Sequence, residues 1–125
     1  MERTYFSSGI LHYEGFFVDG KKEGYHKEYY PSGQLYRIIN YVNDQENGEY
    51  KIYHENGQLL TIHNYVNNKM NGEVKHYYDN GQLSSIGICV DGQKEGNYKR
   101  YHQNGQLEEI CNYVNGEMKY KKVYV

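Results

Sequence analysis

Six histidines, two cysteines, 17 tyrosines and 14 lysines and arginines are the side chains in this 125-residue chain with chemistry to offer, and their spacing limits what they can do. Lys27, Lys51, Lys75 and Lys99 recur every 24 residues, and so do Tyr29, Tyr53, Tyr77 and Tyr101. The next column along reads Phe6, Tyr30, His54, Tyr78, His102, an alternation that points to an old duplication of a 48-residue pair. If equivalent runs are strands two spacings apart, His54 and His102 stand roughly 19 Å from one another and cannot share a metal. His63 and His76 come closer, on neighbouring runs, but two imidazoles without a carboxylate or thiolate at fixed spacing make a poor metal site. Cys89 and Cys111 fall in different columns of successive units, too far apart for a disulfide, so free thiols are expected. No phosphate loop, nucleophile elbow, paired-cysteine zinc motif or HExxH occurs. Catalysis gathers unlike groups at one point, whereas these columns repeat like groups along a line, which suits binding to an extended surface. No enzyme, metal or cofactor is expected.

The elements that must hold these columns follow from the same period. Gly9, Gly33, Gly57, Gly81 and Gly105 mark one position of a 24-residue unit, after a half unit over residues 1–8. The period runs unbroken, so residues 1–125 read as one repeat domain without a linker. Each unit holds two strand-like runs, such as GEYKIYH and LLTIHNYV, separated in the later units by Asn-Gly (Asn56-Gly57, Asn80-Gly81, Asn104-Gly105). Asn-Gly between such runs signals a two-residue hairpin turn with positive φ at both positions. With Asn56-Gly57 as that turn, His54 pairs with Leu59, Ile52 with Thr61, Tyr50 with His63 and Gly48 with Tyr65, so that a tyrosine ring would cover Gly24, Gly48 and Gly96, while Cys89 faces Gly72. The return to the next unit, as in VNDQENG, reads as a longer polar loop. The expected fold is all-β, an elongated single-layer antiparallel meander of about ten or eleven strands. Columns of Leu, Ile and Val (Val18, Val42, Val66, Val90, Val114) read as packing ladders. At the far end Asn115-Gly116 shortens the return to a tight hairpin. The last run carries Lys119, Lys121 and Lys122, with Lys119 continuing the lysine column. Lysines on an edge discourage pairing, and the array reads as ended there.

Composition narrows the partners. Leu, Ile, Val and Phe total 25 residues and the mean hydropathy is −1.00, so the tyrosines must supply much of the apolar surface. There is no Ala or Trp and a single proline, Pro31, which favours strands over helices. A net charge of −2 with both signs spread along the chain gives no reason to expect nucleic acid. No apolar run approaches a membrane span, and MERTYFSSGI lacks the apolar core of a signal peptide, so a cytoplasmic protein is expected.

Y-x-x-x-G-x-L (Tyr29 to Leu35, Tyr53 to Leu59, Tyr77 to Leu83, Tyr101 to Leu107), followed by Y-V-N and a glycine opening the next run, resembles the MORN repeat. In its details it resembles the variant repeat found in bacterial toxin-antitoxin antitoxin family proteins. The standard repeat's Trp and closely spaced G-x-G are missing. The resemblance implies a single-layer scaffold that binds a partner protein, in its most specific form an antitoxin or immunity protein gripping a toxin. The lysine and tyrosine columns are the candidate contacts. The alternative it implies is a scaffold attached peripherally to anionic membrane lipid through the lysines.

Overall fold

The computed structural model describes residues 1–124. Twelve strands among them form a single open antiparallel sheet: β1 (Glu2–Tyr5), β2 (Leu11–Val18), β3 (Lys21–Tyr29), β4 (Leu35–Val42), β5 (Gln45–Tyr53), β6 (Leu59–Val66), β7 (Lys69–Met70), β8 (Gly72–Tyr77), β9 (Leu83–Val90), β10 (Gln93–Tyr101), β11 (Leu107–Val114) and β12 (Glu117–Val123). Each strand pairs with its neighbour in sequence, and β7 and β8 both lie against β6. The all-β meander predicted from the 24-residue period is the fold observed.

The turns exchange the roles assigned to them from sequence. In the N-G-Q turn, His54 N–H donates to the Gln58 carbonyl at 2.8 Å and Gly57 N–H to the His54 carbonyl at 2.9 Å. This is a three-residue loop in which Gly57 alone has positive φ, at 89°, the geometry of a turn followed by a glycine bulge. The bulge at Leu60 moves Leu59 opposite Tyr53 instead of His54, while Ile52–Thr61, Tyr50–His63 and Gly48–Tyr65 pair as the spacing predicts. The two-residue turns lie at the other edge, where longer loops were expected. Asp19-Gly20, Asn43-Asp44, Asn67-Asn68, Asp91-Gly92 and Asn115-Gly116 all have positive φ at both positions. Asn and Asp tolerate that backbone because their short polar side chains bond locally. The return at Asn115-Gly116 is therefore the common form.

Each such turn is followed by a bulge that lengthens the first strand of the unit. Between Tyr41–Glu46 and Ile39–Tyr50, β5 carries two more residues than β4, and Gly48 sits there at φ 90°. Gly24, Gly72 and Gly96 hold the same position at φ 75°, 94° and 78°. The tyrosines opposite do not shield them, since no tyrosine atom lies within 4 Å of where a Cβ would stand. Glycine is needed for its backbone and not for a ring to cover. The cover exists elsewhere, at Gly15 under His26 and Gly87 under Tyr98, where a Cβ would fall 2.3 Å and 2.4 Å from ring atoms. In β12 the bulge is one residue, Lys119, so Lys122 and not Lys119 pairs with Ile110 and continues the lysine row.

With one layer, burial is confined to one face. His26, Ile39, Thr61, Val74, Cys89 and Glu109 are the buried core and polar side chains, and the register places all six on the same side, because residues directly opposite across an antiparallel pair share a face. Both long edges are stitched between units. The Tyr30 and Tyr78 hydroxyls donate to the carbonyls of Tyr53 and Tyr101 at 2.7 and 2.6 Å, and His54 Nε2 donates to that of Tyr77 at 3.0 Å. The Tyr/His alternation thus preserves an aromatic donor. At the opposite edge the turn N–H groups of Asp44, Asn68, Gly92 and Gly116 donate to the carbonyls of Lys22, Glu46, Met70 and Lys94 at 2.8 to 3.0 Å.

Two outcomes check this architecture. Deleting residues 49–72 leaves Gly48 followed by Glu73, the native junction of the next unit, and yields a shorter folded sheet; loss of the β signal in circular dichroism contradicts modularity. Gly87→Ala loses about 1–3 kcal/mol in urea unfolding through the clash with Tyr98. In a Tyr98→Ala background the same change costs almost nothing, and an undiminished cost there removes the ring as the cause.

Candidate functional site

The four lysines predicted from sequence lie in one row. Across the sheet the pairs run Glu14–Lys27, Lys27–Ile38, Ile38–Lys51, Lys51–Ile62, Ile62–Lys75, Lys75–Ile86, Ile86–Lys99, Lys99–Ile110 and Ile110–Lys122. Lysine and isoleucine alternate strand by strand, opposite to the buried side. Tyr29, Tyr53, Tyr77 and Tyr101 stand two residues along the same strands and so share this lysine face, forming a parallel row of half-buried rings. The Tyr29 hydroxyl donates to Glu14 Oε1 at 3.2 Å.

The row is not electrostatically uniform. Lys51 Nζ lies 3.5 Å from Glu49 and Lys75 Nζ 3.7 Å from Glu73. Tyr25 and Asn97 replace those glutamates beside Lys27 and Lys99, which have no carboxylate within ion-pair distance among the described residues. The valine column is also on this face and is not packed away: Val18, Val42, Val66, Val90 and Val114 are 42–58% exposed. Valine repeats at the spacing of a ladder, but the described residues form no second layer to cover it. Ion pairs on such a surface contribute little stability, so the exposed charge and apolar area remain available to a partner.

The buried face gathers unlike groups, which the column-by-column reading missed. A cavity of about 330 Å³ is lined by His63, His76, Cys89, Tyr98, Cys111 and Glu109 among others. These come from β6, β8, β9, β10 and β11 and meet only because the strands pair in that register. The rings of His63 and His76 are 5.7 Å apart, edge to face. The Thr61 hydroxyl shares a hydrogen bond with His76 Nδ1 at 2.8 Å. Among the described residues neither ring nitrogen of His63 has a hydrogen-bond partner, and the ring stacks on Tyr50 at 5.5 Å. Cys89 Sγ is 3.2 Å from the Tyr98 hydroxyl, whose pKa is pushed up by burial and by that bond. Both cysteines are free thiols. Lys94 Nζ sits over the rings of Tyr98 and Tyr113 at 5.1 and 4.9 Å. No cluster of three or more His, Cys, Asp or Glu side chains among the described residues is placed to hold a metal ion.

An open sheet of hairpin units with one buried face and one periodic face defines a β-repeat scaffold. A family model described as the MORN repeat variant matches residues 22–43, 46–67, 70–88 and 94–115, and the chain belongs to that family. No match to a curated protein was found. The matched repeats account for the rows on the lysine face, while the cavity lies in residues that vary from unit to unit.

The histidines make stability depend on pH. Burial first, then His76, holds the His63 pKa below the ordinary 6.5; burial first, then Lys94, does the same for His76. His26 is lowered as well, mainly by burial, with the Tyr13 hydroxyl donating to its Nδ1 and its Nε2 donating to the Phe16 carbonyl. Between 6.5 and the depressed folded values the unfolded chain takes up protons that the folded one refuses. Stability is therefore complete above pH 6.5 and falls as pH drops through that window. The urea midpoint is expected to fall from about pH 7.5 to about 5.5, and His63→Phe, which keeps the stack on Tyr50, to flatten the dependence. A wild-type midpoint indifferent to pH contradicts the assignment.

Proposed function

We propose that the chain is a non-enzymatic scaffold that works in the cytoplasm by holding a partner protein against its lysine face, and that in its most specific form it is an antitoxin or immunity protein that neutralises a toxin. The observation carrying the reading is the unbroken alternation of Lys27, Lys51, Lys75, Lys99 and Lys122 with isoleucines across nine strands, flanked by tyrosines and by exposed valines. Aromatic and aliphatic groups beside fixed cations are what a protein interface uses at its centre and rim. Support for the antitoxin form is the likeness to the repeat variant of bacterial toxin-antitoxin families. In the buried-face cavity the Cys89 thiol faces a tyrosine hydroxyl of raised pKa and not a general base, which favours the non-enzymatic reading.

The lysine row also gives the membrane reading a footing. It is the weaker of the two because Glu49 and Glu73 stand 3.5 and 3.7 Å from the two central lysines, which leaves Lys27 and Lys99 as separated charges that a protein partner can meet at fixed positions and a fluid layer of headgroups cannot select. Affinity capture from native lysate separates the readings. A stoichiometric protein retained by the wild type and lost with Lys27→Glu/Lys99→Glu, while sedimentation with phosphatidylserine vesicles stays negligible, is the expected result. Salt-sensitive vesicle binding with no retained protein reverses it.

A further inference from the structure

The lysine and tyrosine rows have a period as well as a charge, and the period selects the conformation of what lies on them. Equivalent residues of successive units are two strand spacings apart, about 9.4–9.8 Å. The cross-unit bonds from Tyr30 to Tyr53, His54 to Tyr77 and Tyr78 to Tyr101 at one edge, and those of the turn amides at the other, hold that interval constant. A chain running across the strands must repeat at the same interval to make the same contact in each unit. A polyproline II helix has three residues per turn at 3.1 Å each, about 9.3 Å per turn. The nearest repeat of an α-helix is the heptad, about 10.5 Å, and that of an extended strand is two residues, about 6.8 Å. Over the three intervals from Lys27 to Lys99 the polyproline II segment drifts by no more than about 1.5 Å, whereas the helix drifts by about 2–3 Å and the strand falls out of phase within one unit.

We infer that the lysine face takes an acidic, proline-rich segment of a partner protein, bound as a polyproline II helix across the strands with one acidic residue in three facing the lysine row. The inference rests on the protein-binding reading above and specifies its ligand. Three features of the face fit such a segment. Polyproline II leaves its backbone carbonyls free, as in the aromatic-lined grooves that recognise proline-rich motifs, and the row of Tyr29, Tyr53, Tyr77 and Tyr101 supplies rings beside the lysines. The isoleucines between the lysines, such as Ile38, Ile62 and Ile86, offer apolar ground for proline rings. The charge pattern is complementary to acids, most strongly at Lys27 and Lys99, which lack the glutamate that Lys51 and Lys75 carry. A proline-rich segment also loses little conformational freedom on binding, because it holds this helix when free.

The experiment compares two fluorescently labelled peptides of equal charge and conformation: Asp-Pro-Pro repeated four times and Asp-Pro-Pro-Pro repeated four times. Only the first has the period of the sheet. By fluorescence anisotropy the first is expected to bind at least about tenfold more tightly, because the second cannot engage successive lysines at once. Lys27→Ala/Lys99→Ala, with an unchanged circular dichroism spectrum, should weaken the first peptide more than Lys51→Ala/Lys75→Ala does. Equal affinity for the two peptides, no binding of the first at millimolar concentration, or indifference to Lys27→Ala/Lys99→Ala overturns the inference. Lysine-dependent capture of a native protein alongside such a failure leaves the protein-binding reading standing, so the two fail separately.

Discussion

A sheet one layer thick has no interior, and the rest of the molecule answers to that constraint. No side chain can be sandwiched between layers, so the buried residues are few and sit on one face. Cohesion has to come from each unit's grip on the next. It comes through the strand ladders and through bonds at both long edges, where aromatic donors reach a carbonyl 23 residues on and turn amides reach one 22 residues back. Such bonds form in every unit only if the period never changes. A one-residue insertion would turn a strand over and break the edge contacts together.

The constraint also divides the labour between the faces. On the buried face the column residues differ from unit to unit, because each gap is filled by whatever combination fits: a ring over a glycine at Gly15 and Gly87, a bidentate Arg37–Glu28 pair joined by the Tyr50 hydroxyl, a Thr61–His76 bond. Regularity is given up there for packing. The lysine face has no packing to satisfy beyond its own neighbours and keeps its period, which is why the proposed recognition is placed there. The two unlike environments are produced by strands whose alternate residues simply point opposite ways.

Particular residues show how much of this was legible. The 24-residue spacing of Gly57 and its equivalents announced the hairpins, and the pairs Gly48–Tyr65, Tyr50–His63 and Ile52–Thr61 could be counted off correctly from it. The turn at Asn56-Gly57 was misjudged because Asn-Gly is compatible with more than one loop, and the choice depends on whether the following strand bulges, as it does at Leu60. The same ambiguity hid the tight turn at Asn43-Asp44, where two residues without Gly both adopt positive φ. Val42 and its equivalents looked like core because they repeat, yet repetition reports equivalent surroundings and is silent about whether those surroundings are covered. The cavity around His63 was invisible, since its lining comes from six strands spread over some fifty residues.

What the amino-acid order determined by itself is the unit: its length, its two strands, the alternation of sides within each run, and the lines of lysine and tyrosine that follow from repeating it. These are local properties, set by alternation and by glycines at regular intervals. Tertiary structure decided which face is buried, which lysines keep a glutamate beside them, and which side chains meet across strands. Those outcomes depend on the bulges that set how one unit lies against the next, and a bulge is chosen by the combined fit of both neighbouring strands and not by the residues that form it.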